Sequence, residues 1–166
     1  PVEGEYLPYQ INYINRVPDG NLLPILRVNG AATANFLLGL PAEKIDHRYA
    51  EGKWSIKEVL QHLIDTERIM CYRALRFGRN DKIELPGFEE KDYVANANTA
   101  ERDFGEMIDE YVIVRNGSIC MIKSFNDEIL SRSGIANNGR CTVNAIAYVI
   151  AGHELHHAAI IKERYL

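Results

Sequence analysis

The residues with the most chemical potential in this chain are its histidines. Three of the five fall in one short run, His153-Glu154-Leu155-His156-His157. A neutral imidazole is a common ligand for borderline divalent metals, and burial favours the neutral form that such a metal needs. Val143, Ile146, Ile150, His153, His157 and Ile160 recur at spacings of 3, 4, 3, 4 and 3. That is the stripe a helix turns towards a bundle interior. Residues four apart stack on one helical face, so His153 and His157 can aim ring nitrogens at one point. The neighbouring stripe Val149, His153, His156, Ile160 leaves a 153/156 pair open on spacing alone. His62 lies beside Val59, Leu63 and Thr66 at the edge of another apolar face. As a third ligand from a facing helix it would complete a site of three protein ligands with one open position, the arrangement of a catalytic metal. His47 sits in a polar stretch and reads as solvated.

His153-Glu154-Leu155-His156-His157 also satisfies H-E-x-x-H, the zinc-protease signature. Those enzymes need a third ligand further downstream, and only nine residues without a histidine follow His157, so the match is set aside. Asp65, Glu67 and Glu154 are the acids near the histidines that could handle protons. Asp65, three residues after His62, shares its face and could orient the imidazole or a bound water. Glu67, five residues on, lies roughly 140° around the helix and is worse placed for base work. A solvated or ion-paired helix side chain is the ordinary alternative for all three.

Elements must hold these residues in place, and the sequence supplies four long helices. The first is expected over about Asn21–Leu38, weakened in its middle by Asn29 and Gly30 and stopped by Pro41. The second has the clearest start: Ser55 as N-cap, Glu58 three residues later, and Trp54 with Val59 as a hydrophobic staple, running to about Phe77 and ending at Gly78. The third spans about Thr99–Phe125, and the fourth runs from an N-cap at Thr142 to the C-terminus. Asn126–Leu130 reads as one short helical turn inside a turn-rich stretch ending near Arg140. No segment alternates with period two, so no sheet is expected, and the fold class is all-α, a four-helix bundle. Residues Arg79 to Asn98 read as a long polar loop. Phe88 and Tyr93 are its natural anchors if it covers the open side of the histidine site; the alternative is that it seals the bundle end or meets a second subunit.

With 166 residues the chain is expected to be one domain over 1–166. A formal charge of −4 without any run of five like charges argues against nucleic acid as a partner. The apolar stretch Ala145–Ala151 is too short to cross a bilayer, and no signal peptide is visible at Pro1. Cys71, Cys120 and Cys141 are odd in number and scattered, which suits reduced thiols and a cytoplasmic location.

Three stretches taken together resemble the DinB/YfiT-like superfamily: Lys53-Trp54-Ser55-Ile56-Lys57-Glu58-Val59-Leu60-Gln61-His62-Leu63-Ile64-Asp65-Thr66-Glu67-Arg68, then Leu85-Pro86-Gly87-Phe88, then Ala151-Gly152-His153-Glu154-Leu155-His156-His157. The likeness runs in order through nearly the whole chain. It implies a four-helix bundle of the DinB type, often a homodimer. It also implies a divalent metal, nickel or zinc, held by one histidine of the second helix and two of the last, which here are His62, His153 and His157. For function it implies a metal-dependent enzyme acting on a small molecule. The reaction would be thiol-dependent S-transfer, using a low-molecular-weight thiol such as bacillithiol or mycothiol, or hydrolysis. The alternative is a non-catalytic, stress-related bundle that holds a metal or small ligand.

Overall fold

A computed structural model describes residues 1–166. A 3-10 turn at Pro8–Gln10 leads into α1 (Ile11–Ile14), followed by α2 (Leu22–Leu38), α3 (Ala42–Ile45), α4 (Ile56–Gly78) and α5 (Glu90–Ala95). A second 3-10 turn, Thr99–Glu101, precedes α6 (Phe104–Lys123), α7 (Asp127–Ser131), β1 (Ser133–Ala136), β2 (Gly139–Thr142) and α8 (Val143–Arg164). The long helices α2, α4, α6 and α8 form a four-helix bundle. Both α2 and α4 pack against α6 and α8, so the α2–α4 and α6–α8 connections cross the ring instead of joining neighbours. No helix is long and apolar enough to cross a membrane.

Each bundle helix begins on a side-chain cap, which satisfies backbone N–H groups that have no partner within the helix. Asn21 caps α2, Asp103 caps α6 and Thr142 caps α8. At α4 the expected capping box is present: Ser55 Oγ accepts from the Glu58 amide at 3.2 Å, and Glu58 Oε2 accepts from the Ser55 amide at 2.8 Å. The third helix starts at Phe104, later than the expected Thr99. Asn98 takes a left-handed φ of 53° and a 3-10 turn intervenes before Asp103 caps the helix.

Two hydrophobic clusters fill the interior. One is built on Leu26, Phe77, Ile146 and Ile150, the other on Leu60, Ile64, Tyr111 and Ile161. Arg115, 3 % exposed, touches both: its Nη1 donates to the Leu26 carbonyl at 3.4 Å and its guanidinium faces the Tyr111 ring. Its Nε and Nη2 donate to Glu67 at 2.9 and 2.8 Å, and its Nη1 donates to Glu154. Ser118 Oγ donates to Glu67 Oε1 at 2.6 Å. This buried ionic layer joins all four bundle helices. Gly30, expected to weaken α2, lies in an unbroken helix, where a Cβ would meet Arg115 Cγ at 2.9 Å.

Two expectations need correction. The chain does contain a sheet, an antiparallel hairpin of β1 and β2. Asn137 and Asn138 have φ of 52° and 60°, the doubly left-handed turn that matches strand twist. Each strand has only four residues and Gly134 and Gly139 interrupt them, so no alternating pattern could form. The stretch Arg79 to Asn98 is also not a plain loop, because it carries α5. Leu85 ties that stretch to the hairpin: its amide donates to the Ile135 carbonyl, and the Asn137 amide donates to the Leu85 carbonyl, both at 3.0 Å.

The short N-terminal α1 docks on α8, and the contact depends on one glycine. A Cβ on Gly152 would lie 2.0 Å from the Tyr13 carbonyl oxygen. Gly152→Ala should therefore displace α1 and cost about 1–3 kcal/mol, even though alanine is the better helix former by about 1 kcal/mol. Ser55→Ala should cost about 1 kcal/mol through loss of the cap. Urea denaturation of both variants checks this, and an unchanged midpoint for either would contradict the corresponding contact.

Candidate metal centre

The α4–α8 contact brings His62, His153 and His157 together. Their candidate ligand atoms all lie within 4.8 Å of one another. His62 Nε2 is 3.0 Å from His153 Nε2, and His157 Nε2 is 3.1 Å from the same atom. Zinc–nitrogen bonds of about 2.0–2.1 Å place two ligand nitrogens roughly 3 to 3.4 Å apart, so the spacing fits a shared cation. Each ring nitrogen offers one in-plane position, either a proton or a lone pair. His153 Nε2 can therefore make one good N–H···N hydrogen bond, whereas here it faces two imidazoles. A cation accepting three lone pairs satisfies the donor set, and protons alone do not.

Surrounding residues fix the rings. Thr66, one turn after His62, places Oγ1 3.3 Å from His62 Nδ1, which leaves Nε2 for the cluster. Trp54 of the α4 staple lies against the His62 ring at 4.9 Å between centroids, and the Tyr165 hydroxyl donates to the Trp54 carbonyl at 2.6 Å. Tyr13 of α1 meets His153 edge-on at 5.3 Å. His62 and His153 are buried and His157 half-buried. Burial, with repulsion from neighbouring imidazoles, lowers the His62 pKa to about 4 and the His157 pKa to about 3, and holds that of His153 well below the ordinary histidine range.

His156 stands outside the cluster, on the neighbouring stripe, with its ring against Tyr13. His47 is exposed, at the edge of Tyr165. None of the three acids singled out in the sequence touches the imidazole nitrogens. Glu67 and Glu154 turn away into the Arg115 layer. Asp65 accepts from Gln61 Nε2 at 3.0 Å and lines an outer groove with Tyr93. The orienting role considered for Asp65 falls to Thr66, because the next residue on the helix is the one that reaches Nδ1.

Two openings reach the cluster. A cavity of about 210 Å³ is lined by Tyr9, Tyr13, His62, Arg73, Phe88 and His153. A cleft of about 500 Å³ is lined by Trp54, His157 and Tyr165, and Glu90 of α5 borders both spaces. Phe88 thus sits over the site, edge-on to Tyr93 at 5.2 Å, while Tyr93 itself is about half exposed on the far side. Tyr13 and Arg73 escaped the sequence reading. Arg73 had a signal: it follows His62 and Thr66 by eleven and seven residues, a cation on the buried face of α4.

Fold and site together define a four-helix bundle with a three-histidine cluster set between two of its helices. The family model of the DinB superfamily matches residues 25–161, a span that contains all three histidines, and the chain belongs to that superfamily. Among solved structures it is similar to YfiT from Bacillus subtilis, described as a probable metal-dependent hydrolase with an unusual four-helix bundle topology. The two share 17 % identity at a TM-score of 0.75, over 98 % of this chain and 89 % of that one. No curated protein matches the sequence.

The lowered histidine pKa values make the metal-free protein acid-sensitive. In the unfolded chain these histidines take up protons near pH 6.5, whereas in the folded protein His62 and His157 do so only near 4 and 3, and His153 well below its ordinary range. Between those values the unfolded state binds more protons, so stability is full above pH 6.5 and is lost as pH falls. Each histidine contributes up to about 1.4 kcal/mol per pH unit. Chelator-treated protein should show a falling melting temperature from pH 6.5 to 5, where carboxylates hardly titrate. A flat profile across that window would contradict the burial of neutral imidazoles.

Proposed function

We propose that His62, His153 and His157 hold one divalent metal ion through their Nε2 atoms, and that the protein is a metal-dependent hydrolase of a small molecule. The observation that carries this reading is the pair of 3.0 and 3.1 Å contacts on His153 Nε2, which protons cannot satisfy together. Three imidazoles suit zinc or nickel, and a site with three protein ligands keeps a position for a reactant. When bound, such an ion supplies Lewis acidity and lowers the pKa of a coordinated water or thiol. The chain's own residues do the rest. Thr66 and Trp54 fix the His62 ring, Tyr13 packs on His153, and Phe88 with α5 narrows the approach from solvent. The likeness to YfiT, itself described as a probable metal-dependent hydrolase, supports the reading.

S-transfer from a low-molecular-weight thiol is a second reading, favoured by the two separate openings. The 500 Å³ cleft at His157 could take the thiol while the 210 Å³ cavity takes the electrophile.

Elemental analysis of tag-free protein should find about one divalent ion per chain. His62→Ala, His153→Ala and His157→Ala should each abolish it, and His156→Ala and His47→Ala should retain it. Screening small esters, amides and lactones should find turnover that follows metal content; adding thiols and electrophiles to the screen separates the two readings. Metal kept in His157→Ala and lost in His156→Ala, or turnover that survives complete chelation, would overturn the proposal.

A further inference from the structure

Arg73 is a buried cation without a counter-charge. Its residue is 7 % exposed, yet the guanidinium makes no ion pair. Its one hydrogen bond runs from Nη2 to the Pro86 carbonyl at 3.0 Å, and its charge lies 5.8 Å from the centre of the Phe88 ring. Arg115 shows what this protein does with a guanidinium that it buries more completely: Glu67 and Glu154 both pair with it. Burial works against the Arg115 charge, but these partners outweigh it and raise the Arg115 pKa, whereas desolvation leaves that of Arg73 lowered. The groups near Arg73 supply no compensating anion. Burial raises the pKa of Tyr9 and pushes that of Cys141 up to about 11, so both stay neutral at ordinary pH. Glu90 borders the same cavity from the exposed α5 but forms no ion pair with Arg73.

A guanidinium that loses part of its water without gaining an anion is costly, and its fork of N–H groups matches the two oxygens of a carboxylate or phosphate. Arg73 lines the 210 Å³ cavity that also exposes His62 and His153. The volume lies below the roughly 300–1,000 Å³ of sites for drug-sized ligands, so the occupant is small. Arg73 follows His62 by eleven residues on one face of α4, about 16 Å along the axis, and its side chain leans back towards the helix N-terminus.

We infer that Arg73 is the anion-binding residue of this cavity, and that the substrate is a small molecule whose carboxylate or phosphate sits several bonds from the group presented to the histidines. Tyr9 and Tyr13 add phenol hydroxyls along the same wall, and Phe88 covers the guanidinium. The inference rests on the hydrolase reading only for the word substrate; the anion site stands on Arg73 itself. The competing role for Arg73 is to anchor the Phe88 segment through the Pro86 carbonyl.

Calorimetric titration of the full-length protein with benzoate, phenyl phosphate and the neutral benzyl alcohol, at constant ionic strength, distinguishes these roles. Each titration is run before and after chelation, with metal content recorded. At least one anion should bind tenfold or more tighter than benzyl alcohol, and which one does so distinguishes carboxylate from phosphate. Arg73→Gln should bring that ratio to within twofold while metal content stays at the wild-type level. Arg73→Lys keeps the charge without the fork and should lose part of the preference. Should Arg73→Gln fail to fold, Arg73→Lys carries the test, since it must weaken the preferred anion more than benzyl alcohol. A preference that survives both substitutions, or none in the wild-type protein, overturns the proposal. A preference that survives in Arg73→Gln and vanishes on chelation places the anion at the histidines: it overturns the Arg73 site and leaves the metal reading standing. Loss of preference in Arg73→Gln in a protein that never holds metal would do the reverse.

Discussion

Three imidazole nitrogens pointed at one another are hard to accommodate, and much of this fold can be understood as accommodating them. Protonating any one of the rings would bury a charge beside two neutral imidazoles, and burial holds all three rings in the neutral form. Neutral rings in turn must be aimed, because one nitrogen of each is committed to the cluster and the other needs a different neighbour. Thr66 takes that part at His62, while Trp54 and Tyr13 press on His62 and His153 from two sides. Each of these neighbours arrives by a separate local device: the helical spacing of Thr66, the staple at the start of α4, and the close approach of α1 that Gly152 permits.

The Arg115 layer adjoins the histidine cluster, and the two are linked through consecutive residues. On α4, Thr66 faces the imidazoles and Glu67 faces Arg115; on α8, His153 faces the imidazoles and Glu154 faces Arg115. A rotation of either helix that disturbed one set would disturb the other. Buried ion pairs add little net stability, because desolvation offsets their attraction, but leaving one partner unpaired on a shift of the helices is costly. Here Arg115 meets Glu67 of α4 and Glu154 of α8, the residues next to Thr66 and His153. It also explains why the H-E-x-x-H match misleads: Glu154 is committed to holding the helices together and does not face the imidazoles.

Sequence periodicity made the core of this arrangement legible. The 3-4-3-4 stripe of α8 and the Ser55/Glu58 capping box are local patterns, and local patterns survive in a linear reading. Spacing could not choose between His156 and His157, since both stripes are helical; the approach of α4 brings His157 into the cluster. The Arg115 layer was hidden because its partners lie 48 and 39 residues away in the chain. The hairpin was hidden because four-residue strands containing glycine carry no alternation, although the Asn137-Asn138 pair was its one visible mark. That hairpin, through Leu85, sets the course of the segment carrying Phe88, so the cover over the site depended on an element the sequence concealed.

The account stands or falls on a cation shared by three Nε2 atoms. Its most direct test is a crystal of the metal-replete protein measured on both sides of the absorption edges of zinc and nickel. The account predicts one anomalous peak about 2 Å from Nε2 of His62, His153 and His157, as metal–imidazole bonds require. Full protein density with no peak there, or a peak at His156 or elsewhere, would contradict it.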